Sequence, residues 1–172
     1  MQTIKQLFNM IGVLSLFLFS ACNNASNPKS DQEIENWANA YCRIASGFMQ
    51  DFMGSGIQPQ GGWEASYAFV QHYQRTIEAA KNSVNQLRPM QVPGEAQSLH
   101  HTTISAMEEI QRIASDAVAD VNNATNRVLF QSAIDLYANR AIQQSKRIED
   151  ATNQTSTGIR EKLQNCTLQM VN

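Results

Sequence analysis

The residues of this 172-residue chain that could do chemistry do not combine into a recognised reactive pattern. His100 and His101 are adjacent, so on a helix their side chains diverge and cannot clamp one metal ion. His72 points away from the neighbouring apolar stripe, which predicts a solvated side chain. Glu108 and Glu109 fit a solvated helix face better than a pair of acid and base catalysts. We therefore predict surface histidines, no catalytic residue, no metal site and no bound cofactor.

Helical periodicity explains most apolar residues of the chain. Ser30 and Glu33 have the spacing of a capping box, in which each side chain bonds the other's backbone N–H at a helix start. Four stripes of apolar residues at steps of three and four follow it. Their members are Ile34, Trp37, Tyr41, Ile44, Phe48 and Phe52; Trp63, Tyr67, Val70, Tyr73, Ile77, Ala80, Val84 and Leu87; Leu99, Ala106, Met107, Ile110, Ile113, Ala117 and Val121; and Phe130, Ala133, Ile134, Tyr137, Ala141, Ile148 and Ala151. No useful run has strand periodicity, so the predicted fold class is all-α.

Three breaks separate the four predicted helices. The first is the glycine-rich segment Gly54–Gly62, the second is Pro89–Gly94, and the third is Asn122–Asn126. Helices of roughly 25 residues joined by short connections predict an up-down-up-down four-helix bundle. The third helix is acidic and the fourth is basic, so adjacent placement of the two would be mildly favourable, although each exposed ion pair adds only ~0–1 kcal/mol.

The first 22 residues have the pattern of a secretory signal. Lys5 precedes an apolar run over 11–19, and the small residues Ser20 and Ala21 come before Cys22. That run is too short to span a bilayer core, which needs ~20 apolar residues. Small residues before a cysteine resemble the lipobox of bacterial lipoproteins, although Phe19 stands where that family prefers Leu. The alternative is an ordinary signal peptide with a chance cysteine.

The resemblance to lipoproteins implies an address and a domain plan. It implies cleavage before Cys22, with diacylglycerol on its sulfur and an acyl chain on its new amine. In lipoproteins sorted by the next residue, an aspartate retains the protein at the inner membrane; Asn23 stands there instead, which implies the outer membrane of a host with two membranes. The plan is then a signal peptide over 1–21, a lipidated cysteine and polar tether over 22–29, and a helical domain over 30–172.

Cys42 and Cys166 remain as an even pair once Cys22 is assigned to the anchor. In an oxidising compartment they are most simply interpreted as one disulfide. In an up-down-up-down bundle the first helix ends level with the start of the fourth. Measured from that end at 1.5 Å per residue, an unbroken fourth helix would place Cys166 at roughly 58 Å, whereas Cys42 lies at roughly 16 Å. A disulfide needs Cα atoms within ~7 Å, so these placements conflict with the bond.

A reversal of the chain over 152–158, which is poor in helix formers, would resolve that conflict. A short fifth helix bearing Ile159, Leu163 and Leu168 would then return toward Cys42. The alternatives are that the turn near Asn122 is misplaced or that the two thiols stay apart.

The charge of the chain argues against a nucleic-acid partner. Without residues 1–21 the chain has 12 basic and 15 acidic residues, a formal charge of −3, with no clustered basic excess. The outline is also similar to small helical-bundle lipoproteins that pair a Tyr-Cys in the first helix, a proline-marked turn after the second and a late cysteine. Tyr41-Cys42, Pro89 with Pro93, and Cys166 match that outline, which implies no catalytic residue.

We expect a non-enzymatic binding or accessory module of the bacterial cell envelope, such as a complex subunit, an inhibitor or an immunity-type protein. Its partners would be the membrane, through Cys22, and a protein. The contact regions would be the loop Gly54–Gly62 and the turn Pro89–Gly94, because loops at the ends of a bundle often carry recognition. The alternative is a carrier that holds a small ligand or cofactor inside the bundle.

Overall fold

The computed structural model describes residues 28–53 and 66–169, with the backbone alone described for 28, 29, 53 and 165–169. These residues form five α-helices and one short 3₁₀ helix, and none of them lies in a strand. The α-helices are α1 (Pro28–Met53), α2 (Ser66–Leu87), α3 (Gln97–Asn123), α4 (Arg127–Asn153) and α5 (Thr157–Gln169), and the 3₁₀ helix is Gly94–Ala96. The all-α class and the short fifth helix are confirmed.

The start of α1 differs from the prediction. The helix begins at Pro28, so Ser30 lies inside the first turn and the predicted capping box at Ser30 and Glu33 is wrong. Proline suits a helix start because the first N–H groups have no partner within the helix and its ring presets the backbone angle. Residues 28 and 29, which the sequence pattern assigns to the polar tether, belong to α1. The other end of α1, at Met53, falls where the sequence predicts it.

The two other breaks that the structure describes lie where the sequence predicts them. Helix α2 ends at Leu87, before Pro89, and α3 ends at Asn123. Asn126 then caps α4, because its side-chain oxygen accepts hydrogen bonds from the backbone N–H groups of Val128 and Leu129, both at 3.0 Å. Such a cap satisfies donors that the first turn of a helix leaves without partners. The loop Gly54–Gly62 lies outside the described residues.

Three apolar clusters follow one another along the helices. The α1-start cluster joins the start of α1 to the end of α2, the start of α3, the end of α4 and α5; its buried members include Ile34, Trp37, Leu87, Leu99, Ala151 and Ile159. The middle cluster comprises Phe48, Ala79, Ala80, Val84, Met107 and Ile110. The α4-start cluster joins the start of α2 to the end of α3 and the start of α4; its members include Phe69, Tyr73, Ile113, Val121, Phe130 and Tyr137.

The principal packed pairs of helices are α2 with α3, α3 with α4, α1 with α2, and α1 with α5. Ion pairs bridge the acidic α3 and the basic α4 as the charge pattern predicts. Arg140 lies 3.3 Å from Asp116 and 3.6 Å from Glu109, and further along α4 Arg147 donates to Ser105 at 3.4 Å. Contacts therefore move backward along α3 as they move forward along α4.

Helix α5 leaves the path of α4 and packs on α1. The helical structure is interrupted between Asn153, where α4 ends, and Thr157, where α5 begins. This interruption lies within the stretch 152–158, which the sequence predicts as a helix break. Ile159 is 0% exposed in the α1-start cluster. Lys162 lies 3.0 Å from Glu35 of α1, and Leu163 is partly buried against the same cluster, as predicted. The side chain of Leu168 lies outside the description.

The predicted inward faces are mostly correct, with one clear error. Every predicted apolar position of α3 is buried, and the α4 positions are buried or partly buried. Tyr67, however, is 72% exposed, whereas the unpredicted Phe69 is buried. Tyr67 lies in the first turn of α2, where Phe69, two residues on, provides the contact with Phe130 instead. Trp63 lies outside the described residues.

Cys42 is buried in α1. The backbone of Cys166 belongs to α5, which packs on α1, but its side chain lies outside the description. The pairing of these two residues therefore stays a prediction.

We expect non-reducing peptide mapping of the mature protein to recover the Cys42 peptide linked to the Cys166 peptide. Cys166→Ser should then lower the free energy of unfolding by about 2–4 kcal/mol, because the bond would close a long loop in the unfolded chain. Urea unfolding with and without reductant measures this loss, and reductant should have no further effect on the variant. Recovery of Cys42 linked to Cys22 would contradict the pairing.

Candidate functional site

A buried hydrogen bond joins α1 to α3 beside the α1-start cluster. The hydroxyl groups of Tyr41 and Thr103 lie 2.8 Å apart, and Thr103 also donates to the backbone carbonyl of Leu99 at 2.9 Å. Because a threonine hydroxyl has one proton, Tyr41 must be the donor to Thr103. Burial raises the pKa of Tyr41, which keeps the phenol protonated and able to donate.

A second buried contact lies one turn away on the same two helices. Trp37 Nε1 donates to His100 Nδ1 over a long 3.5 Å, and both side chains are buried. His100 is only 3% exposed, so the prediction of a surface histidine is wrong here. The position follows from α3 lying against both α1 and α2 at this end, so that a residue beside the apolar stripe is also covered. A neutral imidazole with its proton on Nε2 fits the contact.

The other histidines occupy different environments. His101 is exposed, as predicted. His72 is half-buried, with its ring centroid 5.2 Å from that of Phe52, so the prediction of a solvated side chain is wrong. Phe52 approaches from α1, which the stripe of α2 alone could not indicate. Burial lowers the pKa of His72, with a smaller contribution from Arg75, and burial likewise lowers the pKa of His100, followed by the charge of His101.

An open groove of about 470 Å³ lies beside Trp37. Its α1 side consists of Glu33, Asn36, Trp37 and Ala40, and its other side is the segment Met90–Pro93. Met90 and Val92 also pack partly buried on the α1-start cluster. The structure thus places the predicted contact region Pro89–Gly94 on one wall of a groove, with Trp37 as the buried aromatic residue beneath it.

Large exposed apolar side chains gather at the opposite end of the helices. Tyr67 in the first turn of α2 is 72% exposed, Val128 in the first turn of α4 is 77% exposed, and Leu129 beside it is 50% exposed. Phe69 and Phe130 are in edge contact at 5.2 Å between ring centroids, so these two first turns are neighbours. We name Tyr67, Val128 and Leu129 the α4-start surface.

The α4-start surface extends along α4 through Leu136, which is 50% exposed. Leu136 follows Leu129 by seven residues and so lies on the same side of the helix. None of these four residues was predicted as functional. Val128, Leu129 and Leu136 do lie outside the predicted apolar stripe of the fourth helix. Apolar residues outside that stripe were therefore the sequence signal that could have indicated this exposed surface.

Two tyrosines with their rings in tilted contact lie beneath this end in the α4-start cluster. The rings of Tyr73 and Tyr137 are 4.3 Å apart, centroid to centroid. The buried hydroxyl of Tyr137 has no hydrogen-bond partner. Burial raises the pKa of Tyr137 to about 12, and burial also raises the pKa of Tyr73. Both phenols are therefore neutral parts of the packing near pH 7.

The remaining predicted positions are placed as follows. Glu108 and Glu109 lie at the surface, where Glu108 pairs with Arg88, and Glu109 with Arg112. The described residues contain no group of three or more His, Cys, Asp or Glu side chains arranged to hold a metal ion. No helix within 28–53 or 66–169 is long and apolar enough to cross a membrane. Cys22, the predicted lipidation site, lies outside the described residues.

The chain matches no protein-family model. Searches of curated proteins and of solved structures likewise find no significant match. Any function must therefore be argued from the residues and surfaces described above.

The Tyr41–Thr103 bond predicts an unequal pair of single-variant effects. Thr103→Val leaves the Tyr41 hydroxyl buried without an acceptor, which costs about 1–3 kcal/mol of unfolding free energy, whereas Tyr41→Phe leaves Thr103 still donating to Leu99 and costs less. The double variant should therefore be more stable than Thr103→Val alone. Urea unfolding of the four proteins measures the cycle, and additive losses would contradict the bond.

Proposed function

We propose that this protein is a membrane-anchored, non-enzymatic binding module of the bacterial cell envelope. It holds a protein partner at the α4-start surface while a lipid on Cys22 fixes it to the membrane. The observation that carries the proposal is the exposure of Tyr67, Val128 and Leu129 together at one end of the helices. Contiguous apolar surface on a soluble domain commonly marks an interaction site.

The four long helices form an up-down-up-down bundle in this proposal. Contacts between α2 and α3 support it, because Leu87 at the end of α2 meets Leu99 near the start of α3, and Phe69 at the start of α2 shares a cluster with Val121 at the end of α3. The same reversal holds for α1 and α2, since Ile34 clusters with Leu87 while Phe52 reaches His72.

This arrangement separates the anchor from the binding surface. The tether leads into α1 at Pro28, beside the end of α4 at the α1-start cluster. Val128 and Ala151 are 23 positions apart on α4, roughly 34 Å at the helical rise of 1.5 Å per residue. An upright bundle would thus hold the α4-start surface at about that height above the lipid, where a partner in the envelope could reach it. Asn23 favours the outer membrane as that location.

The buried polar groups support a binding function over an enzymatic one. Thr76, Ser83 and Thr103 donate to backbone carbonyls one turn earlier, and Tyr41 and His100 join α1 to α3. Their roles in packing are thus accounted for without a substrate. The partner would be recognised by apolar contact, whereas Arg112, Asp116 and Arg140 are engaged in ion pairs within the domain.

Lipidation of Cys22 predicts a clear change of location. The wild-type protein should fractionate with membranes, because two or three acyl chains anchor firmly where one is marginal, at ~0.8 kcal/mol per buried CH₂. Cys22→Ser should move to the fraction without membranes or remain unprocessed. Mass spectrometry of the mature N-terminus and membrane fractionation measure both effects. A processed Cys22→Ser protein that still fractionates with membranes would contradict the anchor.

The α4-start surface predicts a site-specific crosslink. A photo-crosslinking amino acid at position 128 should capture a partner in native envelopes, whereas the same amino acid at Gln143, which is exposed further along α4, should not. Val128→Asp should lower recovery of that partner at least tenfold, which corresponds to ~1.4 kcal/mol. An acidic residue in the first turn of a helix is electrostatically favourable, so the variant should keep its unfolding midpoint. Equal crosslinking at both positions would contradict this placement.

A further inference from the structure

We propose that His100 is an acid-sensitive switch. Protonation of its imidazole releases α1, together with α5, from α2 and α3 and exposes the α1-start cluster. This device lies at the opposite end from the α4-start surface. It can therefore be tested, and refuted, independently of the binding function proposed above.

The geometry of His100 makes its protonation state matter. Nδ1 accepts from Trp37 Nε1 at 3.5 Å, and the imidazole is 3% exposed. A proton on Nδ1 turns this acceptor into a donor that faces another donor, because the indole N–H cannot accept. The contact is then lost, and a positive charge stands where apolar side chains and little water surround it, which is costly.

The groups around His100 offer little compensation for that charge. From α1 come the neutral side chains of Trp37 and Tyr41, and the backbone of Leu87 at the end of α2 forms a hydrogen bond that favours the proton. The electrostatic effect of the neighbouring His101 lowers the pKa of His100 and so opposes its protonation. Among the charged groups near this end of the adjoining elements, Lys162 is partly exposed and the following are exposed: Glu33, Glu35, Arg88, Glu95, Glu108 and Arg160. Of these, Arg88 is paired with Glu108 and Lys162 with Glu35.

The packing of the helices identifies which part would move. Helix α5 packs principally on α1, and α1 packs principally on α2 and α5, whereas α3 is packed along both α2 and α4. The side-chain hydrogen bonds from α1 to α3 are those of Trp37 and Tyr41 within the described residues. Loss of the Trp37 contact therefore weakens the attachment of α1 and α5 while α2, α3 and α4 keep theirs.

The direction with pH follows from burial. The pKa of His100 is lower in the closed form than in the open one, where the ring is solvated and titrates near its ordinary value of ~6.5. The closed form is therefore fully favoured above that value and is progressively lost as the pH falls toward the lower pKa. Each unit of difference between the two pKa values lowers the ratio of closed to open molecules tenfold.

The test measures amide hydrogen exchange, helix by helix, on the mature protein at pH 7.5 and pH 5.0, with rates corrected for the intrinsic effect of pH. In the wild type, exchange in α1 and α5 should rise at least tenfold at pH 5.0 while α2 and α3 stay protected. His100→Asn should abolish the rise, because its side-chain oxygen can still accept from Trp37 and it does not titrate. His101→Asn is the matched control at the exposed neighbouring position, and His72→Asn controls for the other histidine; both should keep the rise.

Three results would overturn the proposal: unchanged exchange of α1 in the wild type, a rise that persists in His100→Asn, or a rise in all helices together. Titration of the His100 imidazole by NMR in the unaltered protein provides an independent measurement should His100→Asn not fold. The pH at which His100 gains its proton must then match the pH at which α1 opens, and a mismatch overturns the proposal. Fluorescence of Trp37 in a Trp63→Phe background should shift to the red over the same range.

Discussion

Helix α3 contributes buried side chains to all three apolar clusters, and the positions of the other helices depend on it. Leu99 belongs to the α1-start cluster, Met107 and Ile110 to the middle cluster, and Ile113 and Val121 to the α4-start cluster. Burying a large apolar side chain contributes ~1.5–3 kcal/mol relative to leaving it exposed. Because α3 buries such side chains along its whole length, it holds α2 on one side and α4 on the other. The groove beside Trp37 lies near the start of α3, and the α4-start surface lies near its end.

The attachment of α1 differs in kind from that of α2 and α4. It relies on Ile34 and Trp37 in the α1-start cluster, on Phe48 in the middle cluster, on the polar contacts of Trp37 and Tyr41 with α3, and on α5 as a cover. Polar contacts are directional, and a buried donor that loses its partner costs more than the bond itself contributes. The same groups therefore make α1 specific in its position and sensitive to a change of protonation.

Sequence periodicity predicted the elements well and their surroundings less well. The bounds of α3 and α4, the break after Asn153 and the buried face of α3 follow from local preferences such as the Asn126 cap and the weak helix formers over 152–158. Tyr67 and His100 show the limit. A stripe gives the direction in which a side chain points, but its burial depends on which other helix covers that direction, and this is a property of the assembled domain.

The exposed apolar residues of α4 show the converse, namely that an apolar side chain can remain uncovered in the assembled domain. Val128, Leu129 and Leu136 are apolar yet lie off the stripe, and a sequence alone does not show whether another element covers them. In the described residues α4 packs principally on α3, and the side that carries Val128, Leu129 and Leu136 is exposed. Cys22 and the loop Gly54–Gly62, by contrast, were identified from residue pattern alone, and their placement lies outside what the structure describes.

The pairing of α5 with α1 also has a consequence for the order in which the domain can assemble during synthesis. Lys162 and Glu35 are 127 residues apart in the chain, so α1 receives its cover from a helix that is synthesised well after it. Closing so long a loop is entropically costly and contributes to slow folding. Until α5 has been synthesised, Ile34 and Trp37 lack the apolar cover of Ile159, and the nascent chain would be a substrate for chaperones that recognise such surfaces.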